Sequence, residues 1–498
     1  MTAIAGFISR DNSGQAVLPD LLDKMEHRGD RRQQLFYGEH AAIGFASDEP
    51  ALEKDFRHVQ ISQDEKQILI CDGDISQLSN GSKISLLESY QKHGIEFTKT
   101  LTVPFALLMI EKNENGTTFF AARDWLGSKP LYYAEKDGCM YLSSEIKSLV
   151  SLNETVHAFP PGHYYQPEKG FIRFDQIKSP AEKIDALKSN QSLVSSVIRE
   201  KLRTAVNRSI EGDKRIGLML SGGLDSSLVA ALVQEMDDQP RKSFCVGSAG
   251  SSDLPAAQEA AAALGTEHYE YVYSVEEMME AIPRVIYYLE SFEPTLVRSA
   301  VPNYFAFRMA AGHCDIVLSG EGADELFSGY DYLKEIDDPI ELDKELIRVI
   351  NNLHHIGLQR GDRMSAANGI EVRTPFLDRE LMEYALRIPT EWKMLQTPQG
   401  IIEKWILREA FDGKTRLPKD ILWRDKEEFS EGSGAKDVIS DLMDGKISHT
   451  DYLRKTEEIM ETDEILIRSK EELYYYQIFK SYYNAPALAQ QVGRWAAV

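Results

Sequence analysis

Two short loops in this 498-residue chain carry side chains suited to one chemistry. The first is Ser221-Gly222-Gly223-Leu224-Asp225-Ser226-Ser227, which follows the apolar run RIGLML and leads into SSLVAALVQEM. Adjacent glycines let the backbone approach an anion closely. Amides at a helix start point toward it, and the helix dipole favours negative charge. Ser221, Ser226 and Ser227 add hydroxyl donors. Asp225 by itself repels phosphate, so its natural use is to hold a Mg²⁺ ion that bridges to the phosphate. The second loop, Ser319-Gly320-Glu321-Gly322-Ala323-Asp324, follows the apolar run of DIVLSG and supplies Asp324 as a second Mg²⁺ ligand. The plain alternatives are a capped glycine turn and a solvated acidic helix start. Two Gly-rich acidic loops, each after a buried strand, favour a phosphate site instead, because open parallel sheets bind ligands at the carboxyl ends of their strands.

A further candidate lies at the start, MTAIAGFISR, where loss of Met1 would expose Thr2. A threonine hydroxyl is a far weaker nucleophile than a thiolate near neutral pH.

The elements that must position these residues change character along the chain. Up to about Pro161 the sequence reads as short strands, among them AIAGFIS, AAIGFAS, KQILICDGD, FALLMIEK and TTFFAARD, divided by turns such as Asn115-Gly116 and Asp137-Gly138. Helical segments interrupt around Pro19–Glu26 and Ile84–Lys92. This predicts an α+β unit on antiparallel sheet over residues 1–165, then a polar linker over 166–191. From 192 to 498 buried strands (RIGLML, KSFCVGS, HYEYVYS, DIVLSG) alternate with helices, which implies a parallel sheet covered on both faces, and the final third is helical.

Composition excludes several classes. A net charge of -23 argues against nonspecific binding to nucleic acid or anionic membrane. No apolar stretch approaches a membrane span, and the N-terminus lacks the pattern of a signal peptide. Cys71, Cys139, Cys245 and Cys314 sit in or beside apolar runs without metal-ligand spacing, so buried free thiols in a reducing cytoplasm are expected.

SGGLDSS lacks the GK[ST] ending of the usual P-loop and resembles the PP-loop of ATP pyrophosphatases, which cleave ATP to AMP and pyrophosphate. With SFEPTLVRSA, LSGEGADELFSGY, DRMSAANGIEVRTPFLD, EKWILRE and LWRDKEEFSEGSG in order, nearly the whole chain resembles the asparagine synthetase family, including its β-lactam synthetase branch. The resemblance implies an Ntn-hydrolase-like, glutaminase-like first domain and an ATP pyrophosphatase second domain. It implies a ligase that adenylates a carboxylate with ATP and Mg²⁺ and then couples it to ammonia or an amine.

By motif match, Asp225 and Asp324 would hold the metal, and Ser221, Gly223, Ser226 and Ser227 would grip phosphate. Leu220, Val246 and Gly320 lie where the family holds adenosine. Lys426 matches a loop lysine that stabilises the reacting phosphate, against the alternative of an exposed lysine. Arg298 resembles an arginine near the substrate pocket, against the alternative of a surface salt bridge. Glu321 matches asparagine-forming members; β-lactam-forming members carry tyrosine there with a partner glutamate, and QRGDRM offers no such glutamate.

The first domain departs from the family. Thr2 stands where glutamine-dependent members have cysteine. Asp72-Gly73-Asp74 replaces an N-G-E segment that binds the oxyanion, and a carboxylate there opposes a developing negative charge. An arginine that the resemblance implies after the H-x segment near AAIGFAS is missing, while His27-Arg28-Gly29 and Ala122-Arg123-Asp124 remain as catalytic or structural residues. The expectation is a ligase without glutaminase activity. The alternatives are an ammonia-supplied asparagine synthetase, a non-catalytic nucleotide-binding relative, and a hydrolase of another amide through Thr2. The resemblance also suggests a homodimer acting on small molecules.

Overall fold

The computed structural model describes residues 2–9, 17–29, 32–47, 58–73, 85–114, 116–152, 154–185, 190–212, 215–237, 239–484 and 486–494. Asp74 and Asn115 lie outside them. The first twelve strands are β1 (Thr2–Ile8), β2 (Arg32–Tyr37), β3 (Ala41–Ser47), β4 (Val59–Ile61), β5 (Gln67–Asp72) and β6 (Ala106–Asn113), then β7 (Gly116–Arg123), β8 (Tyr132–Lys136), β9 (Cys139–Ser143), β10 (Val156–Ala158), β11 (His163–Gln166) and β12 (Gly170–Arg173). They form two antiparallel six-stranded sheets, ordered β10-β8-β9-β1-β3-β2 and β12-β11-β7-β6-β5-β4.

The period of two explains the layering. Ile4, Ile43 and Phe45 of the first sheet join Ile70, Leu108 and Ile110 of the second in one core between the sheets. The opposite face of β1, Ala3, Ala5 and Phe7, packs with Leu18, Leu21 and Leu22 of the Leu18–Asp23 helix. The outer face of the second sheet, including Leu69, Cys71, Leu107 and Met109, packs with Leu86 and Leu87 of the Leu86–His93 helix. That helix opens on a capping box between Ser85 and Glu88. The predicted α+β unit is thus a four-layer sandwich. Its edge strand β12 comes from the beginning of the stretch expected as linker.

The second half contains the predicted parallel sheet, with β13 (Ile216–Met219), β14 (Lys242–Ser248), β15 (Glu267–Tyr273), β16 (Ile316–Leu318) and β17 (Glu371–Arg373). The order is β15-β14-β13-β16-β17, and Leu218 lies level with Ser243 on one side and Leu318 on the other. The chain builds outward from β13 in both directions, so the strand order reverses between β13 and β16. That is a topological switch point, where such sheets open a crevice. Helices Leu224–Met236 and Pro294–Ala311 bury apolar faces on this sheet. The four cysteines are buried and unbridged, and among the described residues no helix is long and apolar enough to cross a membrane.

Candidate active site

Both Gly-rich loops lie at the switch point, SGGLDSS after β13 and SGEGAD after β16. They touch: a Cβ on Gly320 would fall 2.7 Å from the Ser226 amide and 2.8 Å from Asp225 Cβ, so only glycine lets the loops meet. Gly222 turns the first loop at φ 74° and packs against the Ala256 backbone. Within this loop the Ser221 N–H donates to Ser226 Oγ at 3.2 Å, and the two hydroxyls lie 3.1 Å apart. Gly223 opens the following helix with no side-chain cap, leaving its first amides toward the crevice. Ser227 is placed differently from Ser221 and Ser226. It is fully buried behind the loop, its N–H bonds the Gly223 carbonyl, and it does not border the crevice.

The crevice is a cavity of about 420 Å³. Leu220, Ser221, Gly223, Asp225, Ser226 and Val246 line one side, and Gly320, Glu321, Asp324, Arg298 and Lys426 the other. Leu220 and Val246 are buried at the ends of neighbouring strands and provide apolar wall.

Asp225 and Asp324 face each other across a lysine outside the sequence-predicted set. Lys404 Nζ lies 2.5 Å from Asp225 and 2.6 Å from Asp324, and Lys426 Nζ lies 2.9 Å from the other Asp324 oxygen. Burial pushes the Asp225 carboxyl up and Asp324 adds to this, against the pull of Lys404. Burial opposes ionisation of Asp324 as well, but Lys404 and Lys426 outweigh it and hold that carboxyl well below its ordinary range. Lys426 is buried too, yet the two aspartates hold its ammonium above the ordinary value. Asp225 Oδ1 is buried and accepts no hydrogen bond, whereas both oxygens of Asp324 face a lysine. An open oxygen on Asp225, with Asp324 close by across Lys404 and a phosphate-type loop beside them, fits Mg²⁺, which takes one or two carboxylates and completes its shell with phosphates and water. Among the described residues no cluster of three His, Cys, Asp or Glu side chains is placed to hold a metal ion.

Lys404 precedes the Trp405–Phe411 helix at a left-handed φ of 53° and is 2% exposed. Its signal in the sequence is a broken local rule: a lysine at a helix N-terminus opposes the dipole and cannot cap. Glu321 is partnered by Arg360, from the QRGDRM stretch, at 2.5 Å. Gly357 packs directly on the Glu321 carboxylate. Arg298 lines the cavity while also pairing with buried Glu471, Nε to Oε1 at 2.8 Å. The Lys426 loop is tied to the sheet by Ser248 N–H to the Ser433 carbonyl (2.9 Å) and Ser251 Oγ to the Gly432 carbonyl (2.6 Å). Arg424, also outside the predicted set, bonds Asp253 at 3.1 Å beneath it.

The asparagine synthase family model matches residues 197–339 and 334–495 of this chain. The chain belongs to the asparagine synthetase family. It is 35% identical over 432 residues to the glutamine-hydrolysing asparagine synthetase 2 of Arabidopsis thaliana, covering 82% of this chain and 72% of that protein. A probable glutamine-hydrolysing asparagine synthetase of Dictyostelium discoideum is 35% identical over 439 residues, covering 82% and 77%. The glutamine amidotransferase domain model matches residues 1–166, so the family's two-domain plan is present.

In that first domain Thr2 opens β1 opposite Ser47, is 1% exposed, and its hydroxyl has no hydrogen-bond partner. Asp72, at the end of β5, is 2% exposed; Arg28 lies 3.6 Å and Lys129 3.7 Å from it. Burial raises its carboxyl even against these two cations. Arg123 donates to the carbonyls of Gly127, Lys129 and Phe159, and Asp124 accepts from the amides of Phe105, Leu126, Ser128 and Lys129. Both therefore hold the 124–129 turn.

Proposed function

We propose that this protein is an ATP-dependent ligase that adenylates a carboxylate, releases pyrophosphate, and couples the acyl group to ammonia or a substrate amine, without hydrolysing glutamine. The observation that carries this reading is the meeting of Asp225, Asp324, Lys404 and Lys426 over a cavity walled by SGGLDSS. A carboxylate oxygen attacks the α-phosphorus of ATP, the bond to the β-phosphate oxygen breaks, and pyrophosphate leaves. Bound Mg²⁺, held by Asp225 and Asp324, supplies charge neutralisation on the phosphates. Ser221, Ser226 and the Gly223 amide bind the leaving oxygens. Lys404 and Lys426 face the same charge, as fixed cations aimed at where it develops. Leu220, Val246 and Gly320 seat the nucleoside. The amine then attacks the acyl carbon, the bond to the AMP oxygen breaks, and Glu321 accepts a proton.

The loss of glutaminase activity follows from the first domain's chemistry. Thr2 offers a hydroxyl in place of a thiolate, and Asp72 offers a buried carboxyl in place of an oxyanion donor. A second reading, favoured by the Glu321–Arg360 pair and by the named relatives, takes aspartate as the carboxylate and asparagine as the product.

The test is a pyrophosphate-release screen over amino acids and other carboxylic acids with MgATP, with and without ammonium. AMP and pyrophosphate are expected, with aspartate plus ammonium the first pair to try. Glutamine is expected neither to be hydrolysed nor to replace ammonium. ADP in place of AMP would remove the first half of the proposal. Glutamate released from glutamine, and abolished in Thr2→Ala, would remove the second.

A further inference from the structure

Glu321 is held by a helix that also reaches the first domain. Gly357 opens the Gly357–Ala366 helix against the Glu321 carboxylate, and Arg360 pairs with it one turn on. The next residues point elsewhere. Asp362 pairs with Arg28 of the first domain. Arg363 donates to the Ser144 carbonyl at 3.3 Å and lies 3.4 Å from Glu145, both of the first domain, and 3.0 Å from Glu290. Arg28 Nε pairs in turn with Glu145 at 2.5 Å. Glu290 accepts from the amides of Ile146 and Lys147 at 3.1 and 2.7 Å, closing the circuit across the domain boundary. Arg28, Glu145, Glu290 and Arg363 are each at most 1% exposed.

Such a network is a poor device for stability, since well-packed apolar residues often serve as well or better. Its distinctive property is geometric. Guanidinium–carboxylate forks accept one relative orientation, whereas an apolar contact tolerates sliding and rotation. The helix therefore has its phase set from the first domain and delivers Gly357 and Arg360 to Glu321 in one position.

We infer that the first domain serves the ligase site as a positioning part: Arg28–Asp362 and Glu145–Arg363 fix the Gly357–Ala366 helix and thereby the Glu321–Arg360 pair. Arg28, Asp362 and Arg363 are positioning residues, remote from the reacting atoms. This rests on the proposed role of Glu321, and it gives the sandwich domain a function that needs no nucleophile at Thr2.

The test uses the full chain. Arg28→Met with Asp362→Leu removes both charges of the tie at similar volume, while Asp72 keeps Lys129, Glu145 keeps Lys147 and Arg363, and Arg363 keeps Glu290. Two readouts are taken. The first is amide hydrogen–deuterium exchange over residues 357–366 and 319–322. Exchange is expected to rise there while β13 and β14 stay protected. The second is pyrophosphate release with aspartate, ammonium chloride and MgATP. A kcat lower by about 100-fold is expected, with KM for MgATP changed little, because small misplacements from remote mutations act on the chemical step. Asp362→Glu, which can still reach Arg28, is expected to recover most of the rate. Unchanged exchange in 357–366 overturns the inference, as does an unchanged kcat in an active enzyme. If the wild-type chain releases no pyrophosphate with aspartate or with any other acid of the screen, the proposed function fails, and the exchange measurement still decides the positioning role.

Discussion

Asp72 and Asp225 are both buried carboxyls near strand ends, and burial pushes both up, yet their neighbours differ in kind. Around Asp72 the cations are already committed: Arg28 also meets Glu145 and Asp362 in the domain interface. Around Asp225 the cations Lys404 and Lys426 pair with Asp225 and Asp324 but also line an open cavity. Charges spent on protein partners hold domains together. Charges left facing space can be given to a ligand. In the second half these charges line a cavity, and in the first half Arg28, Glu145 and Asp362 meet in an interface.

The largest effect should come from removing one of the facing carboxylates. Asp324→Asn is expected to lower pyrophosphate release by roughly a thousandfold, the scale of losing a principal electrostatic contact in a dry site. Asp72→Asn should leave that rate little changed. A comparable loss from Asp72→Asn would break the contrast between the pockets.

Lys404 tests the same contrast without turnover. It is wedged between two carboxylates, so Lys404→Met leaves them facing each other with Lys426, on Asp324, as the one cation paired with them. Stripping one partner from a buried ion cluster costs on the order of 3 kcal/mol. The ligand-free variant should unfold at lower temperature than wild type, and MgCl₂ with ATP should restore part of the difference. Thermal unfolding with and without MgATP measures it. A variant as stable as wild type would mean that the two aspartates do not oppose each other.

The phosphate loops were legible because their signal is local: strand, glycines, hydroxyls, carboxylate, helix. The sandwich and the parallel sheet were legible from the change of period. Arg360, Lys404 and Arg424 were not, since tertiary folding brings them to the site from separate segments. Lys404 left only the trace of a cation where a helix start disfavours one. Arg360 was hidden because the resemblance implies a second carboxylate as the partner in QRGDRM, whereas the structure pairs Glu321 with a cation. Ser227 shows the opposite error. Its position in the motif suggested a phosphate donor, but one further residue along the helix turns the hydroxyl into the core.

The smallest effect sharpens the comparison through its sign. Asp253, under the Lys426 loop, has its carboxyl raised to about 6, because burial outweighs Arg424. Glu371, in β17 near Lys129 of the first domain, is lowered to about 2; burial opposes this, but Arg373 and Lys129 prevail. For Asp253 the folded state binds the proton more tightly than the unfolded chain, so its contribution to stability falls as pH rises from about 4 to 6 and stays unfavourable above. For Glu371 the unfolded chain binds more tightly, so its contribution is present at neutral pH and is lost as pH falls from about 4.5 to 2. At pH 7 Asp253→Asn should therefore stabilise the ligand-free protein by about 2 kcal/mol or less, and Glu371→Gln should destabilise it by a similar amount. Both differences should shrink in acid, the first as pH falls from about 6 to 4 and the second as it falls from about 4.5 to 2. Denaturant unfolding at pH 7 and pH 4.5 is the measurement. Equal signs for the two variants at pH 7 would mean that site and interface charges are satisfied alike, and the distinction between open and committed charges would not hold.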